Sequence, residues 1–309
     1  MRVGMAGAAP GSARCVIRHG RVVGLEYSGS RCHTGPAVDP GTVWEAASLS
    51  KPVVARYVLR LAGNGLVDLD EALDVDLPGL GAAPDPRWRM VTARRVLTHT
   101  SGLPNWRGPS ESARAAGVNV PVTSEVLAFE RDPGLFGYSG EGFEVLLHAL
   151  CRRLGVPAAR LLGQVLSQAG MRDSSFVWRP GFGAAAAVPH DAGGQALAKH
   201  HPVRPRAAGS LHTTLPDYAS FCVAVLAEGA DEIFTPGVLL DEERGRSLGW
   251  ATVRTAAGQI AWQHGDNRGF KHIAGLRRDR GDGIVMFTNG EDGSACRRFF
   301  SQVLGASPW

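Results

Sequence analysis

Long apolar runs are missing from this sequence of 309 residues. No stretch approaches the roughly 18 consecutive apolar residues that a transmembrane helix needs. Residues 1–12 are rich in glycine and alanine and contain no continuous apolar segment, so they do not resemble a secretory signal peptide. We therefore expect a cytoplasmic protein that does not enter the membrane.

Cysteine is scarce and scattered, and the sequence contains no CxxC pair. The cysteines are Cys15, Cys32, Cys151, Cys222 and Cys296. An odd number without a regular framework fits reduced thiols and disfavours both disulfides and zinc. The histidines His190, His200 and His201 give no better metal site, because the last two are adjacent rather than four residues apart. We expect neither a metal nor another cofactor.

The sequence also lacks a strong excess of one charge, since 33 basic residues face 29 acidic ones and leave a formal net charge of +4. The densest basic stretch, residues 277–280, is interrupted by Asp279. A nucleic-acid-binding surface needs a longer basic stripe or a recognisable binding module, so we expect no nucleic-acid partner. The 40 glycines and 19 prolines follow no fixed period, which excludes a repeat architecture.

The elements that can be predicted place strands at both ends of the chain. Two β-rich runs around a His-Gly turn predict a hairpin over residues 15–27. Apolar spacings of three and four predict a helix from Ser48 to about Gly65. Further helices are predicted at 94–97, 142–154, 158–169, 217–228 and 295–304, and strands at 249–253, 259–264, 272–277 and 283–288. Residues 184–206 are predicted to form a long loop near the surface or a site.

This arrangement predicts an α+β fold, an antiparallel sheet flanked by helices with an inserted all-helical lobe. Residues 1–65 and 206–309 would form the sheet lobe, and residues 66–205 the mainly helical lobe. A cleft between two lobes is the natural place for an active site. The length suits one large domain or two interlocked ones.

A Ser-x-x-Lys pattern, Ser48 to Lys51, stands at the start of the first predicted helix. Residues three apart lie on one helical face, so the lysine can reach the hydroxyl. Serine is a poor nucleophile until a base takes its proton, and a desolvated lysine can serve. The N–H groups of a helix N-terminus can hold a developing oxyanion. The pattern alone also fits a serine that merely caps the helix.

Two later segments carry chemistry of the same kind. Tyr138 lies in a glycine-rich loop that leads into a helix, where a phenolate near an ammonium group can act as a general base. Alone, such a tyrosine is also compatible with a structural role. The third segment is a strand that ends in Gln263-His264-Gly265-Asp266-Asn267, and its edge can face the nucleophile and give a second oxyanion N–H group.

The order of these three motifs resembles that of the penicillin-binding protein and class C β-lactamase superfamily, which includes DD-peptidases and family VIII esterases. Residues 44–52, 97–104, 207–214 and 285–290 resemble further stretches of the superfamily, so the resemblance covers about 15–304. It implies a β-lactamase-like fold, with Ser48 as nucleophile, Lys51 as its activator and Tyr138 as general base.

The third motif can be aligned with the family in two registers. Matching His264-Gly265-Asp266 to His-Thr-Gly places aspartate where glycine is expected. Matching Gln263-His264-Gly265 keeps the glycine, and it assigns the oxyanion N–H group to Asp266. We prefer the second register, with Gly140 and Asn267 in the substrate pocket.

Two departures from the family pattern bear on the substrate. Both registers lack the lysine that binds the carboxylate of β-lactams through a charge-assisted bond. The second motif is Tyr-Ser-Gly rather than Tyr-x-Asn, so Gly140 cannot offer a side-chain amide. We therefore expect a small, uncharged acyl substrate and weak or absent β-lactamase activity.

Three functions remain open at this point. The first is hydrolysis of a small ester or amide through an acyl-Ser48 intermediate. The second is transfer of the same acyl group to an amine or alcohol acceptor in a biosynthetic pathway. The third is a retired enzyme that only binds a ligand, which the presence of all three catalytic residue types disfavours.

Overall fold

The computed structural model describes residues 9–77, 85–106 and 128–308. Within these residues the chain forms ten strands and seven helices. The strands are β1 (Gly11–Arg18), β2 (Arg21–Gly29), β3 (Trp44–Glu45), β4 (His212–Thr213), β5 (Val238–Leu239), β6 (Arg244–Arg246), β7 (Ala251–Thr255), β8 (Gly258–Asn267), β9 (Phe270–Arg277) and β10 (Asp282–Thr288). The helices are α1 (Ser50–Gly63), α2 (Ala93–Leu97), α3 (Glu141–Leu154), α4 (Ala158–Gln168), α5 (Phe182–Ala185), α6 (Leu215–Glu228) and α7 (Ser294–Leu304).

Eight strands form one antiparallel sheet in the order β2-β1-β10-β9-β8-β7-β6-β5. The predicted N-terminal hairpin is β1 and β2, joined by the turn at His19-Gly20. β1 pairs with β10 near the other end of the chain, with Ser12 opposite Thr288. Strands from both ends therefore lie side by side in one antiparallel sheet, as the sequence predicts.

Helices cover both faces of this sheet because alternate residues of its strands point to opposite sides. On β10, Ile284 and Met286 pack with Phe300 of α7 in one buried cluster. Phe287 points the other way, where its ring contacts that of Tyr218 in α6 at a centroid distance of 6.0 Å. The α+β fold, an antiparallel sheet flanked by helices, is thus confirmed.

The predicted helices and longer strands agree with the structure to within four residues at each end. The short strands at one end of the sheet were missed, since β5 and β6 have only two and three residues. Every strand lies between residues 11 and 45 or between 212 and 288. The strands thus fall within the two segments predicted for a sheet lobe, and the division into two lobes stays a prediction.

The segment that follows α5 runs without a helix or a strand until β4. Its residues Pro189, His200 and Arg206 line a cavity together with Ser48, so the long loop predicted at 184–206 lies beside the candidate site. In the described part of the chain no helix has both the length and the apolar character needed to cross a bilayer.

Candidate active site

Ser48 lies in a short 3-10 turn, Ala47–Leu49, between β3 and the start of α1. Ala47 has a φ of 50°, a left-handed backbone conformation that is uncommon for a residue with a side chain. Such strained residues cluster at functional sites when the surrounding structure enforces them. The next residue is Ser48, whose side chain opens into a cavity of about 510 Å³.

Lys51 is completely buried, one turn further along the chain. Its Nζ donates hydrogen bonds to Ser48 Oγ at 3.0 Å and to the Ala208 carbonyl oxygen at 2.8 Å. The ammonium group also lies 4.9 Å from the centre of the Tyr138 ring. The spacing of the Ser-x-x-Lys motif therefore brings its two side chains into direct contact.

Tyr138 is held from two sides. Its ring stacks on His99 at a centroid distance of 4.2 Å, and His99 Nδ1 accepts a hydrogen bond from the Ser139 N–H group at 3.0 Å. On the other side, Gln263 Nε2 donates to the Tyr138 hydroxyl oxygen at 3.1 Å. The second and third motifs thus meet at the phenol oxygen.

Electrostatics around Tyr138 favour its ionised form. Burial by itself would raise the pKa of Tyr138, but the positive charge of Lys51, hydrogen bonds with Ser48 and Lys51, and the charge of Arg246 lower it below 10.0. A lowered pKa increases the fraction of phenolate available near neutral pH. Tyr138 therefore has the environment expected of a general base.

Gly265 allows the end of β8 to lie against the turn that carries Ser48. A Cβ atom at this position would stand 2.5 Å from the Ala46 carbonyl oxygen, much closer than any normal contact. No larger residue fits there without moving one of the two segments. This close approach explains why glycine falls at 265 and supports the register preferred from the sequence.

The remaining residues of the third motif point in different directions. His264 borders the Ser48 cavity, and burial together with the charge of Arg246 lowers its pKa to about 4. The Asp266 carboxylate is exposed and accepts a hydrogen bond from Lys271 at 2.7 Å. Asn267 lines the cavity, and its Nδ2 donates to the buried carboxylate of Glu45.

Gly140 does not lie on the cavity surface as predicted, because Trp106 covers it. A Cβ atom at 140 would stand 2.7 Å from the Trp106 ring. Trp106 and Asn105 line the cavity instead, and Asn105 Oδ1 accepts a hydrogen bond from the Gly140 N–H group at 3.1 Å. A side-chain amide is therefore present next to Gly140, although the Tyr-Ser-Gly motif does not supply it.

Arg246 is a second functional candidate that the motifs did not reveal. It lies on β6, and its guanidinium group lies 5.7 Å from the Tyr138 ring centre and 5.2 Å from that of Phe136. Arg246 therefore supplies a positive charge at this end of the site, although the third-motif lysine is missing. Sequence spacing could not show this, because β6 reaches the site only through its pairing in the sheet.

The three histidines considered for a metal site do not converge. His200 lies 3.7 Å from a Glu45 oxygen, whereas His190 packs edge-on against His33 and contacts the Asn289 carbonyl oxygen at 3.0 Å. His201 stacks on Trp178 at 3.8 Å. Over the ranges 9–77, 85–106 and 128–308, no group of three or more metal-ligating side chains could hold an ion.

Comparison with known proteins agrees with this geometry. The family model described as Beta-lactamase matches residues 1–306. The chain belongs to the beta-lactamase family. This assignment fits the Ser48–Lys51 contact and the meeting of Tyr138 with Gln263. These contacts join residues of the three motifs by which the sequence resembles the superfamily.

The similarity to individual curated proteins covers only part of the chain. Esterase EstB from Burkholderia gladioli is 28% identical over 187 residues, covering 54% of this chain and 47% of that protein. Monacolin J acid methylbutanoyltransferase from Aspergillus terreus is 36% identical over 85 residues, covering 23% of this chain and 21% of that protein. The chain thus matches less than half the length of these curated relatives.

A solved structure supports the fold along almost the whole chain. The D-alanine carboxypeptidase AmpC from Burkholderia cenocepacia superposes with a TM-score of 0.80 at 18% identity. The superposition covers 97% of this chain and 94% of that one. At this identity the likeness establishes the β-lactamase-like fold, and the activity has to be argued from the site.

Proposed function

We propose that the protein is a serine hydrolase that cleaves a small ester or amide through an acyl-Ser48 intermediate. The observation that carries the proposal is the contact of Lys51 Nζ with Ser48 Oγ at 3.0 Å, with Tyr138 within reach of both. A serine hydroxyl with a base and a cation beside it is the arrangement that activates a nucleophile.

In the proposed reaction, Tyr138 accepts the proton of Ser48 as Oγ attacks the acyl carbon. The backbone N–H groups of Ser48 and Asp266 stabilise the oxyanion, a role supported by the close approach of Gly265 to Ala46. Tyr138 then returns the proton to the leaving group, and water releases the acyl group from Ser48 in the second half of the reaction.

Labelling with a fluorophosphonate probe, followed by intact-mass analysis, tests the identity of the nucleophile. The wild type should gain the mass of one probe, and Ser48→Ala should gain none. Ser210→Ala is the matched control, because Ser210 lines the same cavity but its hydroxyl donates to the Phe176 carbonyl oxygen. A Ser48→Ala protein that still takes up the probe would refute the proposal.

Acyl transfer is the second candidate, favoured by the similarity to an acyltransferase. Both functions use the same acyl-Ser48 intermediate and differ in whether water or an acceptor removes the acyl group. Product analysis of an ester substrate with and without an added amine or alcohol separates them. If the acceptor yields no adduct and leaves the hydrolysis rate unchanged, acyl transfer is excluded for that acceptor class.

We also propose that β-lactams are poor substrates. In the preferred register Gln263 takes the place of the family's third-motif lysine; it is uncharged and its amide donates to Tyr138, so it offers no charge to a β-lactam carboxylate. We expect turnover of nitrocefin to be far below that of an uncharged p-nitrophenyl ester. Nitrocefin turnover at rates typical of class C β-lactamases would contradict this substrate preference.

The proposed compartment is the cytoplasm. All five cysteines are free, and three of them, Cys15, Cys222 and Cys296, are buried as thiols. Free thiols persist in a reducing compartment. Fractionation of cells that produce the protein at its natural level, followed by detection in each fraction, tests this proposal.

A further inference from the structure

Arg246 is a half-buried cation with an unusual set of neighbours. Its Nε and Nη1 atoms are buried, and neither has a hydrogen-bond partner in the part of the chain that the structure describes. The guanidinium group instead lies against the aromatic rings of Phe136 and Tyr138. A buried charge without a counterion is costly, so the position of Arg246 calls for a negative charge nearby.

Tyr138 is the group that can supply this charge. Burial lowers the pKa of the Arg246 guanidinium, and the charge of Tyr138 acts in the opposite direction. An arginine side chain remains protonated even when it is partly buried in a protein. A phenolate at 138 would therefore be the counterion of Arg246, and a neutral phenol would leave the guanidinium uncompensated.

The other groups around Tyr138 cannot replace Arg246 in this role. His99 and His264 stand on either side of the ring, and burial lowers the pKa of both, so both are neutral near neutral pH. Gln263 contacts the phenol oxygen and carries no charge. The cations that act on Tyr138 are thus Lys51 from α1 and Arg246 from β6.

We propose that Arg246 is a positioning residue that holds Tyr138 in its ionised form, in place of the positive charge that the third motif of this chain lacks. The inference deepens the proposed function, since it explains how Tyr138 can act as a base without a lysine at position 263. It assigns to β6 a part in catalysis that none of the sequence motifs carries.

Tyrosinate absorbance in the near ultraviolet tests the proposal directly. The chain has four tyrosines, and burial raises the pKa of the other three, Tyr27, Tyr57 and Tyr218. The first tyrosine to ionise as the pH rises should therefore be Tyr138. The step in tyrosinate absorbance that marks this ionisation should be present in the wild type and absent in Tyr138→Phe.

Substitution of Arg246 should move this step. The Arg246 charge lies 5.7 Å from the centre of the Tyr138 ring. At an effective dielectric constant of about 20, one charge at this distance shifts an ionisation by roughly one to two pH units. Arg246→Met should therefore raise the ionisation pH of Tyr138 by about that amount, and Arg246→Lys should restore part of the shift. Arg244→Met is the matched control, because Arg244 lies two residues away on β6 but is exposed and paired with Asp241. It should leave the step unchanged.

The same variants should change the reactivity of the enzyme. With an uncharged p-nitrophenyl ester, the acid limb of the kcat/KM profile of Arg246→Met should move to higher pH by the same amount as the absorbance step. Thermal unfolding checks that each variant is folded, and Arg246→Lys tests the charge if the methionine variant is not.

A different role for Arg246 would give a different result. The guanidinium also lines a second cavity of about 720 Å³, together with Thr252 and His264, where it could bind an anionic part of a substrate. In that case Arg246→Met would slow only esters that carry a carboxylate and would leave the tyrosinate step in place, which would overturn the proposal. The absorbance titration needs no substrate, so it remains informative even if Ser48 proves not to be the nucleophile.

Discussion

The polar atoms at Ser48, Lys51 and Tyr138 form one connected group. Lys51 Nζ bonds to Ser48 Oγ and lies 4.9 Å from the centre of the Tyr138 ring, and the Tyr138 hydroxyl accepts a hydrogen bond from Gln263. Each of the three therefore fixes the position of the other two. Removing one member should disable the group rather than subtract an independent share.

At the scale of single residues, we expect Tyr138→Phe to lower the rate of acylation of Ser48 by about 10²- to 10⁴-fold, the range of general acid–base catalysis. The ring stays on His99, and only the hydroxyl is lost. The second-order rate of fluorophosphonate labelling measures the effect. Tyr57→Phe removes a hydroxyl that contacts Gln164 at 3.3 Å, away from the site, and should label at the wild-type rate. Similar rates for the two variants would exclude a catalytic role for the phenol.

Lys51→Met should cause a loss of similar or larger size, since it removes both the cation beside Tyr138 and the bond to Ser48. The double variant Lys51→Met/Tyr138→Phe should then be hardly slower than the worse single variant. Labelling rates of the three proteins give this comparison. If the two losses multiply in the double variant, Lys51 and Tyr138 act independently and the connected group described above does not exist.

The sequence predicts part of this group well. Ser48 and Lys51 are three residues apart on one turn, so local geometry alone brings them together. Tyr138 and Gln263 were assigned by the resemblance to a known order of motifs. Arg246, Asn105 and His99 were not assigned, because their positions depend on contacts between elements that are distant in sequence.

At the scale of elements, the site depends on how closely β8 approaches the nucleophile turn. β8 pairs with β7 only as far as Trp262, opposite Ala251. Beyond that point the strand edge faces the turn at Ala47–Leu49 instead of another strand. Because this edge is not paired with another strand, the Asp266 N–H group is a candidate to donate a hydrogen bond to the oxyanion.

We expect Gly265→Ala to lower the acylation rate by about 10²-fold, because the added Cβ would force β8 away from Ala46 and a displacement of about 1 Å can cost that much. Gly163→Ala is the matched control. It lies within α4 with no atom within 4 Å of an added Cβ, and alanine should stabilise the helix by up to about 1 kcal/mol. Labelling rates and thermal unfolding distinguish the two effects. Wild-type labelling of Gly265→Ala would contradict the proposed oxyanion contact.

Predictions of elements failed where periodicity carries little information. Helices α3, α4 and α6 span three or more turns, so their apolar spacing is clear. β6 consists of Arg244, Gly245 and Arg246, which have no alternation and low strand propensity. Its pairing with β7, which places Arg246 near Tyr138, is a tertiary effect that a local pattern does not contain.

At the scale of the whole molecule, segments from opposite ends of the sequence are tied together by the side chain of Asn289. Asn289, which follows β10, accepts a hydrogen bond from the Gly11 N–H group at 2.7 Å and donates to the Arg31 carbonyl oxygen at 2.9 Å. The antiparallel arrangement of strands from both ends was predictable from their positions. Their register was not, because it is fixed by such side-chain contacts and by packing across the sheet.

His272 connects this sheet to the segment that precedes Ser48. It is 2% exposed, its Nε2 contacts the Glu45 carbonyl oxygen at 2.9 Å, and its Nδ1 accepts a hydrogen bond from the Thr288 N–H group at 3.2 Å. Only the neutral ring can donate at one nitrogen and accept at the other. Burial accordingly lowers the pKa of His272 from 6.5 to about 4.

We expect this histidine to make the folded protein sensitive to acid. Below pH 6.5 the unfolded chain takes up a proton at His272 that the folded protein refuses, so the free energy of unfolding falls as the pH falls towards 4. Between about pH 7 and about pH 5 the loss from this one group is about 2 kcal/mol. His272→Gln should be less stable at neutral pH but should lose about that much less on acidification, as measured by urea unfolding at each pH. His19→Asn, at the exposed turn between β1 and β2, should keep the wild-type dependence. A pH dependence of His272→Gln equal to that of the wild type would show that the buried ring is protonated without cost.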